Sequence, residues 1–491
     1  MASSAIARIL SPSLRPSSFL ITRHLSTLAS PTPIATLPGP TSPSPPVVGG
    51  GLDLSDTERL FSRTRTTHLL RSLSILHAIS VDPLVDAGMK VMRSSAVMES
   101  RALRAAVVGA LKRTVYPHFC AGEGAAEAAA TVRELSGRGL KGILDYGSED
   151  AEEGEACDRN LKGFLGMVEM AASPAVPESA VSFACVKITA ICPISLLERM
   201  SDLLRWEKKD PSFRLPWKSH SMPLLSQSSP LYQTPSTPTP LTEAEEHDLR
   251  LALQRLRTLC ERCAEINLPI LIDAEYTSVQ PAIDYFTYSA ALEFNRGDDP
   301  LVFGTIQAYL QDAKERLVQA VDAAEGEGIR FGFKLVRGAY MTRETELATS
   351  LGVASPIHRS IQHTHACYDD CASFMLEKVS RGSGSLVLAT HNLESGKAAA
   401  AKAEELGIGK RNQKLQFSQL MGMADGLSLG LRNAGFQVSK YLPFGPVDQV
   451  IPYLLRRAEE NRGLLSASSH DKELIRKELR RRMKTAVLGV A

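Results

Sequence analysis

The pattern of hydrophobic and polar positions changes once along the chain. From Ser55 to about Val115 apolar residues recur at helical spacing, and Ser55 with Glu58 predicts a capping box at the start of this helical region. From Glu123 onwards, short apolar runs alternate with longer stretches of helical spacing. This alternation is typical of repeated β/α units.

Eight short apolar runs are candidate strands, and most of them precede a stretch of helical spacing. They are Gly142–Tyr146, Val181–Thr189, Pro269–Ala274, Val302–Ala308, Ile329–Val336, Leu386–Thr390, Lys414–Ser418 and Val438–Pro443. Eight β/α units in succession predict a (β/α)8 TIM-type barrel with an N-terminal helical arm. A doubly wound open sheet is the alternative, but no Gly-x-Gly-x-x-Gly motif follows the first candidate strand.

The N-terminus has the composition of an organelle-import segment. Arg8, Arg15 and Arg23 precede the first acidic residue, Asp53, and the segment is rich in Ser and Thr. The absence of lysine there favours the mitochondrion. We therefore divide the chain into a transit peptide with a Pro/Ser linker (1–52), a helical arm (53–122), a barrel (123–465) and a basic tail (466–491).

Two segments stand apart from the β/α pattern. Fifteen of the 24 residues in 219–242 are Pro, Ser or Thr, which predicts either a surface loop or a disordered excursion. The segment 471–491 places seven basic and three acidic residues around Leu474, Ile475 and Leu479. It is therefore either a basic amphipathic helix on anionic lipid or a solvated terminal helix.

Composition narrows the class of protein. Apolar residues make up 44% and charged residues 22%, which excludes disorder over the full length, and a net charge of +2 gives no reason to expect a nucleic-acid partner. No apolar run reaches the length of a membrane-spanning helix. Cys260 and Cys263 have no second pair at zinc spacing, so we expect no metal site there.

Polar residues fall at the C-terminal ends of nearly all the candidate strands, where barrel enzymes carry their chemistry. They include Lys187, Asp273, Glu275, Gln307, Lys334, Arg337, Thr390, His391, Gln416, Gln419 and Tyr441. One such residue alone is more often structural than functional. A set that is spread over many strands points to a shared pocket.

The predicted helix after the last strand carries a second polar set. Tyr453, Arg456, Arg457 and Glu460 are spaced three and four apart and share a face. Two guanidinium groups beside Lys187 would suit the carboxylate of a small acidic substrate. The alternative is a solvated helix face, in which acidic neighbours pair with the arginines.

Taken together, these motifs resemble the proline dehydrogenase family over residues 123–465. They are Asp273-Ala-Glu, Phe333-Lys-Leu-Val-Arg-Gly-Ala-Tyr, Ala389-Thr-His-Asn, Tyr441-Leu-Pro-Phe-Gly and Tyr453-Leu-Leu-Arg-Arg-Ala-Glu-Glu-Asn. The resemblance implies a distorted barrel that holds FAD non-covalently and oxidises L-proline to Δ1-pyrroline-5-carboxylate, the first step of proline catabolism to glutamate. It also implies electron transfer to ubiquinone and peripheral contact with the matrix side of the inner mitochondrial membrane.

The resemblance also assigns roles to single residues. Asp273, Lys334 and Tyr441 are expected to act in catalysis. The residues expected to bind substrate are Lys187, Tyr441, Tyr453, Arg456, Arg457 and Glu460, with Glu460 pairing with the arginines and gating the site. The residues expected to contact the flavin are Ala274, Gln307, Lys334, Arg337, Gly338, Ala339, Thr390 and His391.

The chain departs from the family pattern in places. Lys334 and Met341 stand where bacterial relatives often have Arg and Trp, so the cation near the flavin is kept without its bidentate geometry. Tyr441 favours proline, because relatives that prefer hydroxyproline have a smaller residue there. Two alternatives remain at this stage: a flavin barrel that acts on hydroxyproline or a related cyclic amine, and an inactive barrel that serves as a mitochondrial scaffold.

Overall fold

The computed structural model describes residues 52–410, 412–463 and 465–488, without the side chains of 460–463, 465–468 and 488. The predicted transit peptide and almost all of the linker lie outside the described residues. The chain from Leu52 onwards forms one unit.

Eight parallel strands close into a barrel, as the sequence predicts. They are β1 (Lys141–Tyr146), β2 (Val181–Val186), β3 (Ile270–Ile272), β4 (Val302–Gln307), β5 (Phe331–Val336), β6 (Gly384–Ala389), β7 (Leu415–Leu420) and β8 (Gln437–Phe444). Each strand pairs with its neighbours in sequence, and β1 closes on β8 with Ile143 opposite Tyr441. The TIM-type fold class is thereby confirmed, and the open-sheet alternative is wrong.

The helices fall into an N-terminal arm, the barrel layer and a C-terminal helix. The arm contains α1 (Thr57–Phe61), α2 (Thr66–Ala78), α3 (Asp82–Arg93), α4 (Ser95–Glu99), α5 (Arg101–Arg113) and α6 (Tyr116–Phe119). The barrel layer contains α7 (Ala125–Gly137), α8 (Gly154–Ala171), α9 (Ile188–Ile191), α10 (Ile194–Lys209), α11 (Glu243–Glu265), α12 (Gln280–Phe294), α13 (Ala313–Gly326), α14 (Met341–Ser350), α15 (Ile361–Ser380), α16 (Leu393–Glu405), α17 (Asp425–Asn433) and α18 (Ile451–Gly463). The C-terminal helix is α19 (Leu465–Leu488).

The first helix of the arm is capped differently from the prediction. The side chain of Asp56 accepts the backbone N–H of Arg59 at 3.0 Å, and the Ser55 hydroxyl donates to Asp53 instead. The capping box of Ser55 and Glu58 is therefore wrong by one residue. An aspartate is as good an N-cap as a serine, and here it occupies the position directly before the helix.

The barrel interior alternates with the outer layer along each strand. Ile143, Cys185, Leu271 and Phe303 are buried inside the barrel, in one cluster with Tyr441. The residues between them pack against the helices, because successive side chains of a strand point to opposite faces. This alternation decides which strand residues reach the site.

The Pro/Ser/Thr-rich insertion packs on the barrel layer. Met222 and Leu224 are buried, and the backbone N–H of Ser219 donates to the Tyr285 hydroxyl at 3.0 Å. The Ser229 hydroxyl donates to Asp312 at 2.5 Å. The disordered excursion is therefore wrong, and the surface-loop alternative describes the segment.

The C-terminal helix rests on the protein. Leu474, Ile475 and Leu479 of α19 are buried in the main core. These apolar side chains are thus covered by protein, which contradicts the idea that they insert into lipid. Among the described helices, none is long and apolar enough to cross a membrane.

Candidate active site

Asp273, the first residue after β3, is the centre of a buried polar cluster in the barrel mouth. Its carboxylate accepts the Tyr441 hydroxyl at 2.7 Å and a hydrogen bond from the Lys334 ammonium. The Lys187 ammonium lies 3.9 Å from the same carboxylate. Four strands (β2, β3, β5 and β8) therefore bring together the three residues predicted for catalysis and one predicted for substrate binding.

A second carboxylate balances the charge of this cluster. Asp145 of β1 is 2% exposed and accepts from the Lys187 ammonium at 3.2 and 3.3 Å. Sequence reasoning missed Asp145, although a carboxylate inside an apolar strand was the available signal. With two lysines and two aspartates, the cluster is electrically neutral when all four groups are ionised.

The charges of the cluster stabilise one another. Burial alone would raise the pKa of Asp273, but the ammonium groups of Lys334 and Lys187 outweigh it and lower that pKa to about 2. Burial would lower the pKa of Lys187 and Lys334, and the nearby carboxylates raise both instead. The pocket thus holds fixed positive and negative charges side by side at neutral pH.

Arg456 of α18 already binds a carboxylate in this structure. Its two terminal nitrogens donate to the two oxygens of Glu149 at 2.6 and 2.9 Å, and its guanidinium carbon lies 5.8 Å from the Tyr340 ring centroid. Such a bidentate pair matches the planar fork of arginine to the planar carboxylate. Burial would raise the pKa of Glu149, and Arg456 holds it below its usual value.

Glu149 was missed by sequence reasoning, which assigned the pairing role to Glu460. The side chain of Glu460 lies outside the described residues, so that assignment stays a prediction. Glu149 belongs to an acidic loop between β1 and α8, and nothing in the sequence distinguishes it from Asp150 or Glu152. Only the approach of this loop to α18 shows which carboxylate meets the arginine.

Arg457 and Tyr453 lie together on α18, one helical turn apart. The Arg457 guanidinium carbon is 5.2 Å from the Tyr453 ring centroid, and both side chains are buried. The solvated-face alternative is therefore wrong for these two residues. Tyr453 packs in an apolar cluster with Tyr116 and Phe119 of the arm.

The residues predicted to contact the flavin form a second set, on β4, β5 and β6. Arg337, directly after β5, donates to the hydroxyls of Thr390 and Ser395, both at 2.7 Å, and to Nδ1 of His365 at 2.9 Å. Asn392 caps α16 by accepting the backbone N–H of Ser395. A guanidinium, two hydroxyls and a helix N-terminus thus converge at the end of β6.

His391 and Gln307 lie deeper in the same half of the barrel. His391 Nε2 accepts the backbone N–H of Leu420 at 3.1 Å, while burial and the charge of Arg457 lower the pKa of His391 to about 3. The imidazole is therefore neutral and carries its proton on Nδ1. The Gln307 side chain donates to the Glu275 carbonyl at 2.7 Å, which holds the end of β3 beside β4.

Gly338 is the one position in this set where only glycine fits. Its φ is +138°, and a Cβ atom there would lie 2.0 Å from a ring carbon of Tyr309. The neighbouring Ala339 and, after β3, Ala274 are half-buried with small side chains. The glycine is therefore required by the Tyr309 ring that packs against it.

Glu275 is a buried carboxyl group that bonds to a neighbouring hydroxyl. The Thr189 hydroxyl lies 3.0 and 3.1 Å from its two oxygens. Burial, together with the charges of Asp150 and Glu149, raises the pKa of Glu275 to about 8. Glu275 is thus a polar side chain next to the acidic residues Glu149 and Asp150 that gives up its proton less readily than an exposed glutamate.

The donor set fits FAD. The Arg337 guanidinium and the N-terminus of α16 suit a pyrophosphate, and the half-buried Ala274 and Ala339 place no bulky side chain in the way of a flat ring system. The Lys334 ammonium would supply a positive charge beside a reduced flavin. No cluster of metal-binding side chains occurs among the described residues.

The chain is similar to known proteins over most of its length. A family profile described as proline dehydrogenase matches residues 128–470. The chain is 55% identical over 444 residues to proline dehydrogenase 1, mitochondrial, from Arabidopsis thaliana, covering 90% of this chain and 88% of that protein. It is 33% identical over 447 residues to the Homo sapiens hydroxyproline dehydrogenase, covering 88% of this chain and 94% of that protein.

The fold is also found among solved structures. Proline utilization A from Bdellovibrio bacteriovorus, inactivated by N-propargylglycine, matches with a TM-score of 0.61 and 21% identity. The match covers 86% of this chain but only 44% of that longer one, and it concerns the fold alone. From the family profile and the plant relatives, we conclude that the chain belongs to the proline dehydrogenase family and is an enzyme of that family.

Proposed function

We propose that the chain oxidises L-proline to Δ1-pyrroline-5-carboxylate with FAD as cofactor and ubiquinone as electron acceptor. This reaction would begin proline catabolism to glutamate, on the matrix side of the inner mitochondrial membrane. The observation that carries the proposal is the bidentate pair of Arg456 and Glu149 above the Asp273 cluster. In this pair Arg456 holds a carboxylate beside the balanced charges of the Asp273 cluster.

The substrate carboxylate would take the place of Glu149 on Arg456. Both ligands present the same planar pair of oxygens, so the exchange conserves the two charge-assisted hydrogen bonds. Glu149 would then move aside with its loop. Arg457 and Lys187 would also bind the substrate carboxylate. This competition keeps the arginine satisfied when no substrate is bound.

The amine end of the substrate would face Asp273 and Tyr441. A hydride leaves the ring carbon beside nitrogen only when the nitrogen lone pair is free, so the amine must be neutral at that moment. Asp273 cannot take up that proton and keep it at neutral pH, because its pKa is about 2, and it therefore orients the substrate and the two lysines. When bound, FAD supplies the chemistry that accepts the hydride.

The remaining roles are assigned by position. Tyr441 and Tyr453 would cover the substrate ring, and Tyr441 leaves little room for a 4-hydroxyl because its own hydroxyl is held by Asp273. Lys334 would stabilise the negative charge of the reduced cofactor. The groups that would hold FAD are Ala274, Gln307, Lys334, Arg337, Gly338, Ala339, Thr390 and His391.

The helical arm is our candidate for the membrane contact that ubiquinone requires. Between α2 and α5 the arm leaves several large apolar side chains exposed, namely Leu70, Val81, Leu84, Val91 and Leu103. Exposed basic side chains accompany them, namely Arg65, Arg71, Lys90, Arg101 and Arg113. Apolar side chains among positive charges complement a membrane surface that carries anionic lipid.

Turnover with a soluble ubiquinone analogue tests the proposed reaction. The purified protein loaded with FAD should convert L-proline into the cyclic imine acid and should turn over 4-hydroxyproline far more slowly. A preference for hydroxyproline would contradict the role of Tyr441. A protein that binds no FAD and forms no product would instead support the inactive scaffold.

Flotation with liposomes tests the arm. Vesicles that contain cardiolipin should bind the full chain, and Leu84→Ser with Leu103→Ser should release it while activity with the soluble quinone persists. The matched control is Met483→Ser, because Met483 is an apolar residue on α19 that is more exposed than Leu84 or Leu103. Release by Met483→Ser alone would place the contact on the tail.

A further inference from the structure

The insertion at 219–242 reaches the candidate active site through one residue, Thr277. The side chain of Gln233 in the insertion donates to the Thr277 hydroxyl at 2.6 Å. Thr277 itself lies in the loop that runs from Asp273 at the end of β3 to α12. The insertion is thus bonded directly to the loop that carries Asp273 and Glu275.

Thr277 joins this loop to helix α14 and thereby to the loop of residues 337–340 that precedes the helix. Its backbone N–H donates to Glu344 of α14 at 2.6 Å, and its hydroxyl donates to the other oxygen of that carboxylate at 2.5 Å. The helix α14 directly follows the segment from Arg337 to Tyr340, which belongs to the candidate flavin and substrate sites. One threonine therefore links the ends of β3 and β5 outside the barrel.

Thr277 and Glu344 form a buried junction between the two segments. Thr277 is 7% exposed and Glu344 is 1% exposed. The Thr277 carbonyl accepts a hydrogen bond from the buried Arg205 of α10, whose other partner, Asp202, also accepts the Thr234 hydroxyl of the insertion at 2.5 Å. Two residues of the insertion thus hold the same junction from different sides.

The two linked loops meet again over the substrate site. The rings of Tyr276 and Tyr340 pack edge to face with centroids 5.7 Å apart, and the Arg343 guanidinium lies 3.5 Å from the Tyr276 ring centroid. Tyr340 is also the ring that faces the Arg456 guanidinium. A shift of either loop at Thr277 would therefore move the aromatic support of the carboxylate-binding arginine.

We propose that residues 219–242 act as a positioning strap that holds these two loops in register through Gln233 and Thr277. None of the residues assigned to substrate or cofactor lies in the strap, which works by fixing the positions of Tyr276 and Tyr340. The predicted effect of the strap on the affinity for L-proline rests on the proposed function. The structural consequence of the strap is independent of any substrate.

Kinetics and hydrogen–deuterium exchange together test the strap. Gln233→Ala and Thr277→Val should each raise KM for L-proline about three- to tenfold with kcat within about twofold of wild type, because orientation of the bound substrate depends on sub-ångström placement. Thr277→Ser keeps the hydroxyl and should restore the wild-type KM. Exchange in peptides covering 273–279 should be faster in Gln233→Ala and Thr277→Val.

The matched control is Ser229→Ala. It removes the hydrogen bonds of a buried hydroxyl in the same insertion, but the partners of that hydroxyl, Ser226 and Asp312, lie outside the junction. This variant should lower the melting temperature to a similar extent and leave KM and the 273–279 exchange unchanged. The strap would be overturned if Ser229→Ala changed KM and the 273–279 exchange as much as the other two variants do. It would also be overturned if Thr277→Val and Gln233→Ala kept the wild-type KM and exchange. If the wild-type protein does not oxidise L-proline, the proposed function is contradicted. The exchange measurement would still test the strap.

Discussion

Two consecutive residues of β8 lead to two different buried charge clusters. Tyr441 points into the barrel and bonds to Asp273 of the inner cluster. Lys440 points outward and pairs with Asp425 at the start of α17, 2.7 Å away. Both clusters contain lysines and aspartates shielded from solvent, so burial of charge does not by itself distinguish a catalytic site from a structural one.

The partners of each cluster distinguish them. In the outer cluster, Lys440 also donates to the Met423 carbonyl, and Asp471 of α19 accepts the backbone N–H groups of Asp425 and Gly426. Backbone partners fix such a network in place. The inner cluster and the pair of Arg456 and Glu149 consist of side-chain pairs from separate strands and loops. A ligand carboxylate can replace a side-chain carboxylate there without unfolding an element.

The largest effect is expected from the inner site. Arg456→Met should lower kcat/KM for L-proline about 100-fold or more, because the charge-assisted bidentate bond to the substrate is lost. FAD content should stay close to wild type, while the melting temperature should fall because the buried Glu149 loses its partner. Arg480→Met, at an exposed position of α19, is the matched control and should leave kcat/KM unchanged. If Arg456→Met keeps the wild-type kcat/KM, the inner cluster is no more important for the reaction than the outer one, and the comparison fails.

Asp425→Asn should affect stability instead of affinity. It leaves Lys440 and the nearby Arg138 buried without their carboxylate, which is expected to cost about 3–5 kcal/mol of unfolding free energy. Urea denaturation measures this loss, and KM for L-proline should stay at the wild-type value. Adding Lys440→Met should recover part of the stability. A raised KM without destabilisation would mean that the outer cluster serves the reaction.

A smaller, pH-dependent effect is expected at Glu275. Its pKa is about 8 in the folded protein and near 4.5 when exposed, so the folded state binds the proton more tightly and stability falls as pH rises from about 4.5 to 8. Glu275→Gln removes this penalty, and its melting temperature relative to wild type should rise by about 2 °C between pH 5.5 and pH 8.5. A constant difference over that range would show that Glu275 is ionised throughout.

The fold and most of the site could be predicted from local sequence features. Short apolar runs at regular intervals marked the strands, and polar residues at their ends, such as Lys187, Asp273 and Lys334, do meet in space. Lys187 and Tyr441 were recognisable because a barrel directs strand ends to one mouth. The alternation of side chains along β8 explains why Tyr441, and not Lys440, belongs to that mouth.

The features that could not be predicted depend on contacts between distant segments. Glu149 is one of several acidic residues in its loop, and only tertiary packing selects it as the partner of Arg456. The tail has the charge and spacing of a lipid-binding helix, yet Leu474 and Ile475 bury against the protein because a complementary apolar surface exists there. The insertion has the composition of a flexible segment, whereas its hydroxyls donate to Asp312, Asp202 and Glu315 of the barrel layer, which no local pattern reveals.

The most direct test of the central claim is anaerobic titration of the FAD-loaded protein with L-proline while flavin absorbance is recorded. The account predicts bleaching of the wild type at low proline concentration. It predicts bleaching of Arg456→Met only at a concentration about 100-fold higher, with FAD still bound. Bleaching of both proteins at the same proline concentration, or no bleaching of the wild type, would contradict it.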